Sequence, residues 1–164
     1  MPSPRPSGML VFKQMAILLA GSSLAAFAMW WQQGENRLAL DYAWGDHVEQ
    51  SAREKGMITA SLDEAKIIVD SFSHIVLDAR KTVDFEAGHL PGAMSLPLLE
   101  FDAAFGGIAP LLTPDQPVMV YCSGKECDES IKLGEILIEA GYTNVTLFAG
   151  GMIAWQEAGF EVQR

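Results

Sequence analysis

Residues Val118 to Ala140 constrain the fold more than any other stretch, because they spell a buried strand, a short loop and a helix in immediate succession. Val118-Met119-Val120-Tyr121 is an unbroken apolar, β-favouring run after the breaker Pro117, the pattern of a strand covered on both faces. Ser123-Gly124-Lys125-Glu126-Cys127 then makes a tight loop. Asp128 stands where a helix cap belongs, and Ile131, Leu133, Ile136, Leu137 and Ala140 keep helical spacing until Gly141 stops it. Cys122 therefore falls at the carboxyl end of a strand, facing a helix amino terminus. Ligands bind in that crevice of open α/β sheets, and the aligned N–H groups there favour an anionic sulfur.

The same alternation runs through the rest of the chain. Ser61-Leu62-Asp63-Glu64 has capping-box spacing and opens a helix through Ala65, Ile67 and Ile68 to Val69. Ile75-Val76-Leu77 reads as a buried strand ending at Asp78, and Phe85-Glu86 as a helical turn closed by Gly88. Met94-Ser95-Leu96 is a strand bounded by Gly92 and Pro97, Leu99 to Phe105 a short helix, and Val145 to Phe148 the last core strand. Ile153 and Trp155 lie on a closing helix ended by Gly159. Strands alternating with helices predict an α/β domain, its parallel sheet covered by helices on both faces.

Five ordered blocks carry a resemblance to the rhodanese, or sulfurtransferase, family: Val76-Leu77-Asp78-Ala79-Arg80; Phe85-Glu86-Ala87-Gly88-His89-Leu90-Pro91-Gly92-Ala93; the Cys122 loop; Gly141-Tyr142; and Leu147-Phe148-Ala149-Gly150-Gly151-Met152-Ile153-Ala154-Trp155. The resemblance runs from about Ile58 to the end, giving a rhodanese-like domain over residues 58–164. It implies that a cysteine accepts a sulfane sulfur from a small sulfur-containing anion such as thiosulfate, holds it as a persulfide and passes it to a thiophilic acceptor, without a cofactor. Cys122 occupies the nucleophile's position, and the backbone of Ser123, Gly124, Lys125, Glu126 and Cys127 would cradle the outer sulfur. Asp78 and Arg80 match a family pair expected to form an ion pair bracing the strand end.

A net charge of −10 lacks the basic footprint of a nucleic-acid binder. The two cysteines stand five positions apart, too few and too local for a disulfide scaffold and not spaced as CxxC. Cys127 reads either as part of the cradle or as a resolving cysteine, which leaves a redox-sensing or sulfur-carrier binding module as the alternative function. A phosphatase or arsenate reductase on this fold is disfavoured: it needs a loop one residue longer and an arginine six positions after the cysteine, where this chain has Asp128. Lys125 is the loop's single cation, crowded by Glu126, Asp128 and Glu129. His89, in a Gly-His-Leu-Pro-Gly turn, is expected to be structural. His47 and His74 have no spacing to the cysteines that suggests a metal site.

Ahead of the domain, Pro2 to Gly8 forms a Pro/Ser-rich tail (1–8), and Met15 to Trp31 contains no charge. Seventeen helical residues span roughly 26 Å, so extension upstream through Met9-Leu10-Val11-Phe12 is needed to cross a hydrocarbon core of about 30 Å. Residues 9–31 thus read as a single transmembrane anchor with Trp30 and Trp31 at the far interface. A cleaved signal peptide is the rival, since Ala26-Phe27-Ala28 has the small-x-small form. Arg5 and Lys13 precede the span and only Arg37 closely follows it, which favours an extracytoplasmic domain. Residues 32–57 read as a linker with one ordered piece around Tyr42-Ala43-Trp44-Gly45. Trp44-Gly45-Asp46 resembles an element of membrane-anchored relatives.

Overall fold

The computed structural model describes residues 47–164. The expected tail, the expected membrane span and residues 32–46 of the expected linker lie outside the described residues. Among the described residues, no helix is long and apolar enough to cross a membrane.

Five strands form one parallel sheet: β1 Ile58–Thr59, β2 Ile75–Asp78, β3 Met94–Ser95, β4 Val118–Tyr121 and β5 Val145–Phe148, in the order β1-β5-β4-β2-β3. Helices α1 (residues 47–54), α2 Leu62–Ser71, α3 Thr82–Ala87, α4 Phe101–Ile108, α5 Glu129–Glu139 and α6 Gly151–Glu157 connect and cover them. Alternation along β4 divides the core. Val118 and Val120 face a layer built with Leu133 and Leu137 of α5 and Ile108 of α4. Met119 and Tyr121 face the other, with Ala65 and Val69 of α2 and Met152 and Trp155 of α6. All four β4 side chains are fully buried, which is why the run could be wholly apolar.

Local chemistry sets the element boundaries. Ser61 and Glu64 complete the capping box of α2, the Glu64 carboxylate accepting from the Ser61 N–H at 2.8 Å. Helix α5 runs from Glu129 and is followed by Gly141 at φ +97°, the left-handed conformation that closes helices at little steric cost. Asp128 holds the N-cap position of α5, but its carboxylate makes no cap bond; it pairs with Lys132 at 2.6 Å instead. The short helix expected over Leu99–Phe105 is a 3₁₀ turn, Leu98–Glu100, leading into α4.

One boundary is corrected. Residues 47–57 are not a linker: Val48 and Ala52 of α1, with Met57, are buried in the core against α5. Edge strand β1 was likewise not anticipated; it pairs with β5 through Ile58↔Thr146 and Thr59↔Leu147.

The topology positions a crevice. Adjacent strands β2 and β4 are in register to their last residues, Asp78 opposite Tyr121. The connection after β2 leads through α3, whose Phe85 packs on the Tyr121 side. The connection after β4 leads through α5 on the Val120 side. Connections departing to opposite faces open a switch point at the carboxyl ends of the two strands.

Because α1 belongs to the core, a fragment starting at Ile58 should be less stable than one starting at Ala43 by about 3 to 5 kcal/mol, from the lost burial of Val48, Ala52 and Met57. Chemical denaturation of the two fragments measures this; equal midpoints would contradict the assignment.

Candidate functional site at the carboxyl ends of β2 and β4

At the end of β2 sits a carboxylate with no exposed surface, Asp78. Burying that charge is tolerable only with close partners. Arg80 Nε donates to both carboxylate oxygens at 2.9 and 3.0 Å, and its NH2 group donates to Asp78 at 2.6 Å and to the Gly88 carbonyl at 2.8 Å. The Tyr121 hydroxyl donates to Asp78 at 2.6 Å and accepts from the Leu90 N–H at 3.1 Å. The expected Asp78–Arg80 pair is therefore present, and Tyr121 ties it to β4 one residue before Cys122. Burial first, then the Asp78 charge and hydrogen bond, push the Tyr121 phenol far above its ordinary value. The Arg80 guanidinium is raised too: burial works against its charge, but the Asp78 bond and charge outweigh it. His89 is the structural residue expected, with Nδ1 3.0 Å from the Phe85 carbonyl and its ring stacked on Phe85 at 3.8 Å.

Cys122 follows, 3% exposed. Its carbonyl accepts from the Met152 N–H at 2.9 Å and that of Ser123 from the Ile153 N–H at 2.8 Å, so the first turn of α6 holds the loop from beneath. Gly151, at φ +56°, makes this possible; a Cβ there would stand 2.4 Å from the Cys122 carbonyl oxygen. Within the loop the Cys127 N–H donates to the Gly124 carbonyl at 3.0 Å. Among the described residues the amides of Ser123, Gly124, Lys125 and Glu126 donate to no backbone carbonyl. Four N–H groups thus remain available beside the amino terminus of α5, whose dipole favours an anion.

Cys122 and Cys127 are joined by a disulfide, with Cα atoms 6.2 Å apart. The Glu129 oxygen Oε2 lies 2.6 Å from Cys127 Sγ and 3.6 Å from Cys122 Sγ. This contact was not legible in the sequence, where Glu129 figured only as part of an acidic field. Its signal was the placement of an acid in the first turn of a helix whose amino terminus meets both cysteines. The ligating atoms of Cys122, Cys127 and Glu129 lie within 4.8 Å of one another, a set able to take a thiophilic ion only when the disulfide is reduced. Two surface clefts, about 300 Å³ along β1 and about 270 Å³ between α1 and α5, are lined by neither cysteine.

Residues 61–158 match the rhodanese-like domain family over more than half the chain. The chain belongs to the rhodanese-like domain family. A rhodanese-like chain of this kind is similar to thiosulfate sulfurtransferase from Pseudomonas aeruginosa, at 28% identity and a TM-score of 0.57, over 76% of this chain and 23% of that one. The polysulfide-sulfur transferase of Wolinella succinogenes shares the fold at 20% identity and a TM-score of 0.56, over 75% of this chain and 88% of that one. Among curated proteins, the HTH-type transcriptional regulator Rv0324 of Mycobacterium tuberculosis is 31% identical over 87 residues, 53% of this chain and 36% of the regulator. The chain thus spans about a third of that relative's length and about a quarter of the Pseudomonas enzyme's.

Tyr121→Phe leaves Asp78 and the Leu90 N–H each short of a partner and should cost about 1 to 3 kcal/mol of stability at neutral pH. Because folding raises the Tyr121 pKa, its contribution is complete below the unfolded tyrosine value of about 10 and is lost as pH rises towards the folded value. The stability gap between wild type and Tyr121→Phe should therefore narrow above about pH 10 in denaturant titrations. A gap independent of pH would contradict the assigned hydrogen bond.

Proposed function

We propose that the domain is a sulfurtransferase in which Cys122, in its reduced form, takes a sulfane sulfur from a small anionic donor of the thiosulfate class and passes it to a thiophilic acceptor. The observation that carries this reading is a buried cysteine at a strand end, one residue past the Asp78–Arg80–Tyr121 network, in a loop with four available amides. Likeness to a thiosulfate sulfurtransferase supports the donor class.

The chemistry needs no cofactor. The Cys122 thiolate attacks the outer sulfur of thiosulfate; the S–S bond of the donor breaks and sulfite leaves with the electron pair, giving a persulfide anion. The acceptor's nucleophile then attacks the outer sulfur and the Cys122 thiolate departs. Amides of Ser123 to Glu126 at the amino terminus of α5 support the anion. Lys125, exposed on the loop, attracts the donor. Glu129 opposes it as a negative charge close to both sulfurs. Asp128 opposes it less than its position suggests, since Lys132 neutralises it, although so exposed a pair contributes little.

In this reading the charge-free run Met15 to Trp31 is an anchor, and the domain works on the extracytoplasmic side. The Cys122–Cys127 disulfide favours a second reading, a dithiol redox module on the same loop.

Cys122→Ser should abolish thiosulfate-to-cyanide sulfur transfer by the reduced protein, with the circular dichroism spectrum unchanged. Transfer retained in that variant would sink the assignment. Absence of transfer in the fully reduced wild type would favour the redox module.

A further inference from the structure

We infer that Cys127 resolves the persulfide on Cys122, so that the domain releases its sulfur as hydrogen sulfide and is left as the Cys122–Cys127 disulfide. This rests on the reading that Cys122 carries the sulfur. Three features of the loop support it. The two cysteines are already within bonding reach, and their Cα separation of 6.2 Å lies inside the usual disulfide range of about 4.4 to 6.8 Å. The loop that brings them together is held by the Cys127–Gly124 hydrogen bond and by the two bonds from α6, so the approach is set by the backbone. Finally, Glu129 Oε2 is nearer to Cys127 Sγ, at 2.6 Å, than to Cys122 Sγ, at 3.6 Å, which places a proton acceptor on the attacking thiol.

Burial decides which sulfur is attacked. Cys122 is 3% exposed, so an external acceptor meets the outer sulfur of the persulfide, whereas Cys127 lies against the inner one. In the resolving step the Cys127 thiol gives its proton to Glu129, and the thiolate attacks Cys122 Sγ. A bond forms between the two cysteine sulfurs as the bond from Cys122 Sγ to the outer sulfur breaks. The outer sulfur of the persulfide anion, protonated by solvent, leaves with the electron pair as hydrosulfide, which takes a further proton to give hydrogen sulfide, while Glu129 returns the Cys127 proton to solvent. The sulfane sulfur is reduced by two electrons and each cysteine sulfur is oxidised by one, so no outside oxidant enters. Another turnover requires an external dithiol: one thiolate opens the protein disulfide to a mixed disulfide, and the second closes the dithiol's own. External acceptors and Cys127 thus compete for one persulfide, and the supply of dithiol decides how long sulfide production continues.

The test uses full-length protein, reduced and freed of small thiols, mixed with thiosulfate alone; sulfite, sulfide and intact mass are followed. The wild type should release one sulfite and one sulfide per site and then stop, with the mass of the disulfide form, and added dithiothreitol should restart it. Cys127→Ser should release sulfite without sulfide and retain one added sulfur atom. Glu129→Gln should slow sulfide release roughly a hundredfold at neutral pH, with the rate recovering as pH rises towards the thiol's own pKa. Sulfite without sulfide from the wild type, with the added sulfur retained, would overturn the inference and leave the sulfurtransferase reading intact. No sulfite from either protein would overturn both. Sulfide release in Glu129→Gln as fast as in wild type would overturn the role of Glu129.

Discussion

A carboxylate with no access to water has to be neutralised where it sits, and Asp78 is neutralised by groups that come from two directions. Arg80 doubles back from the same strand end, Tyr121 reaches over from β4, and Arg80 also holds the Gly88 carbonyl of the turn after α3. The carboxyl ends of β2 and β4 are therefore fixed relative to each other by charge-assisted hydrogen bonds as well as by the sheet ladder. Cys122 is the next residue after Tyr121, so the position of its sulfur derives from that network. Losing one partner leaves a charge or a donor stranded in a dry interior.

The loop beyond Cys122 is held by a second device. The amino end of α6 donates two backbone hydrogen bonds to the carbonyls of Cys122 and Ser123, and the missing side chain of Gly151 lets the two segments come that close. With the Cys122 and Ser123 carbonyls engaged from below, four amides of the loop find no backbone acceptor among the described residues. The order of effects follows: burial at the strand end makes Cys122 selective, the amides stabilise negative sulfur, and Glu129 sets the balance between external transfer and attack by Cys127.

Much of this was legible in the sequence, for identifiable reasons. Strands β2, β4 and β5 were found in place because each is a four-residue, largely buried run bounded by turns, apolar throughout in β4 and interrupted only by Asp78 in β2 and Thr146 in β5. The α2 cap was readable because Ser61 and Glu64 interact across three residues of local sequence. Helix α1 was missed because its core contribution is two side chains, Val48 and Ala52, too few to mark a period in an otherwise polar stretch. Strand β1 is two residues long and exists through its pairing with β5, which no local pattern encodes. Asp128 occupies the expected cap position yet turns to Lys132, an alternative partner one helical turn away. Cys122 and its loop were recognised as the candidate site, but the disulfide and the Glu129 contact depend on how a five-residue loop closes. Residue identities alone left the role of Cys127 open.

The central claim is that Cys122 presents its sulfur to the loop amides. The most direct measurement is a crystal structure of Cys127→Ser after reaction with thiosulfate, since that variant cannot resolve the persulfide. One added sulfur atom bonded to Cys122 Sγ, within hydrogen-bonding distance of the Ser123 to Glu126 amides, is the predicted result. An unmodified Cys122, or an added sulfur turned away from those amides, would contradict it.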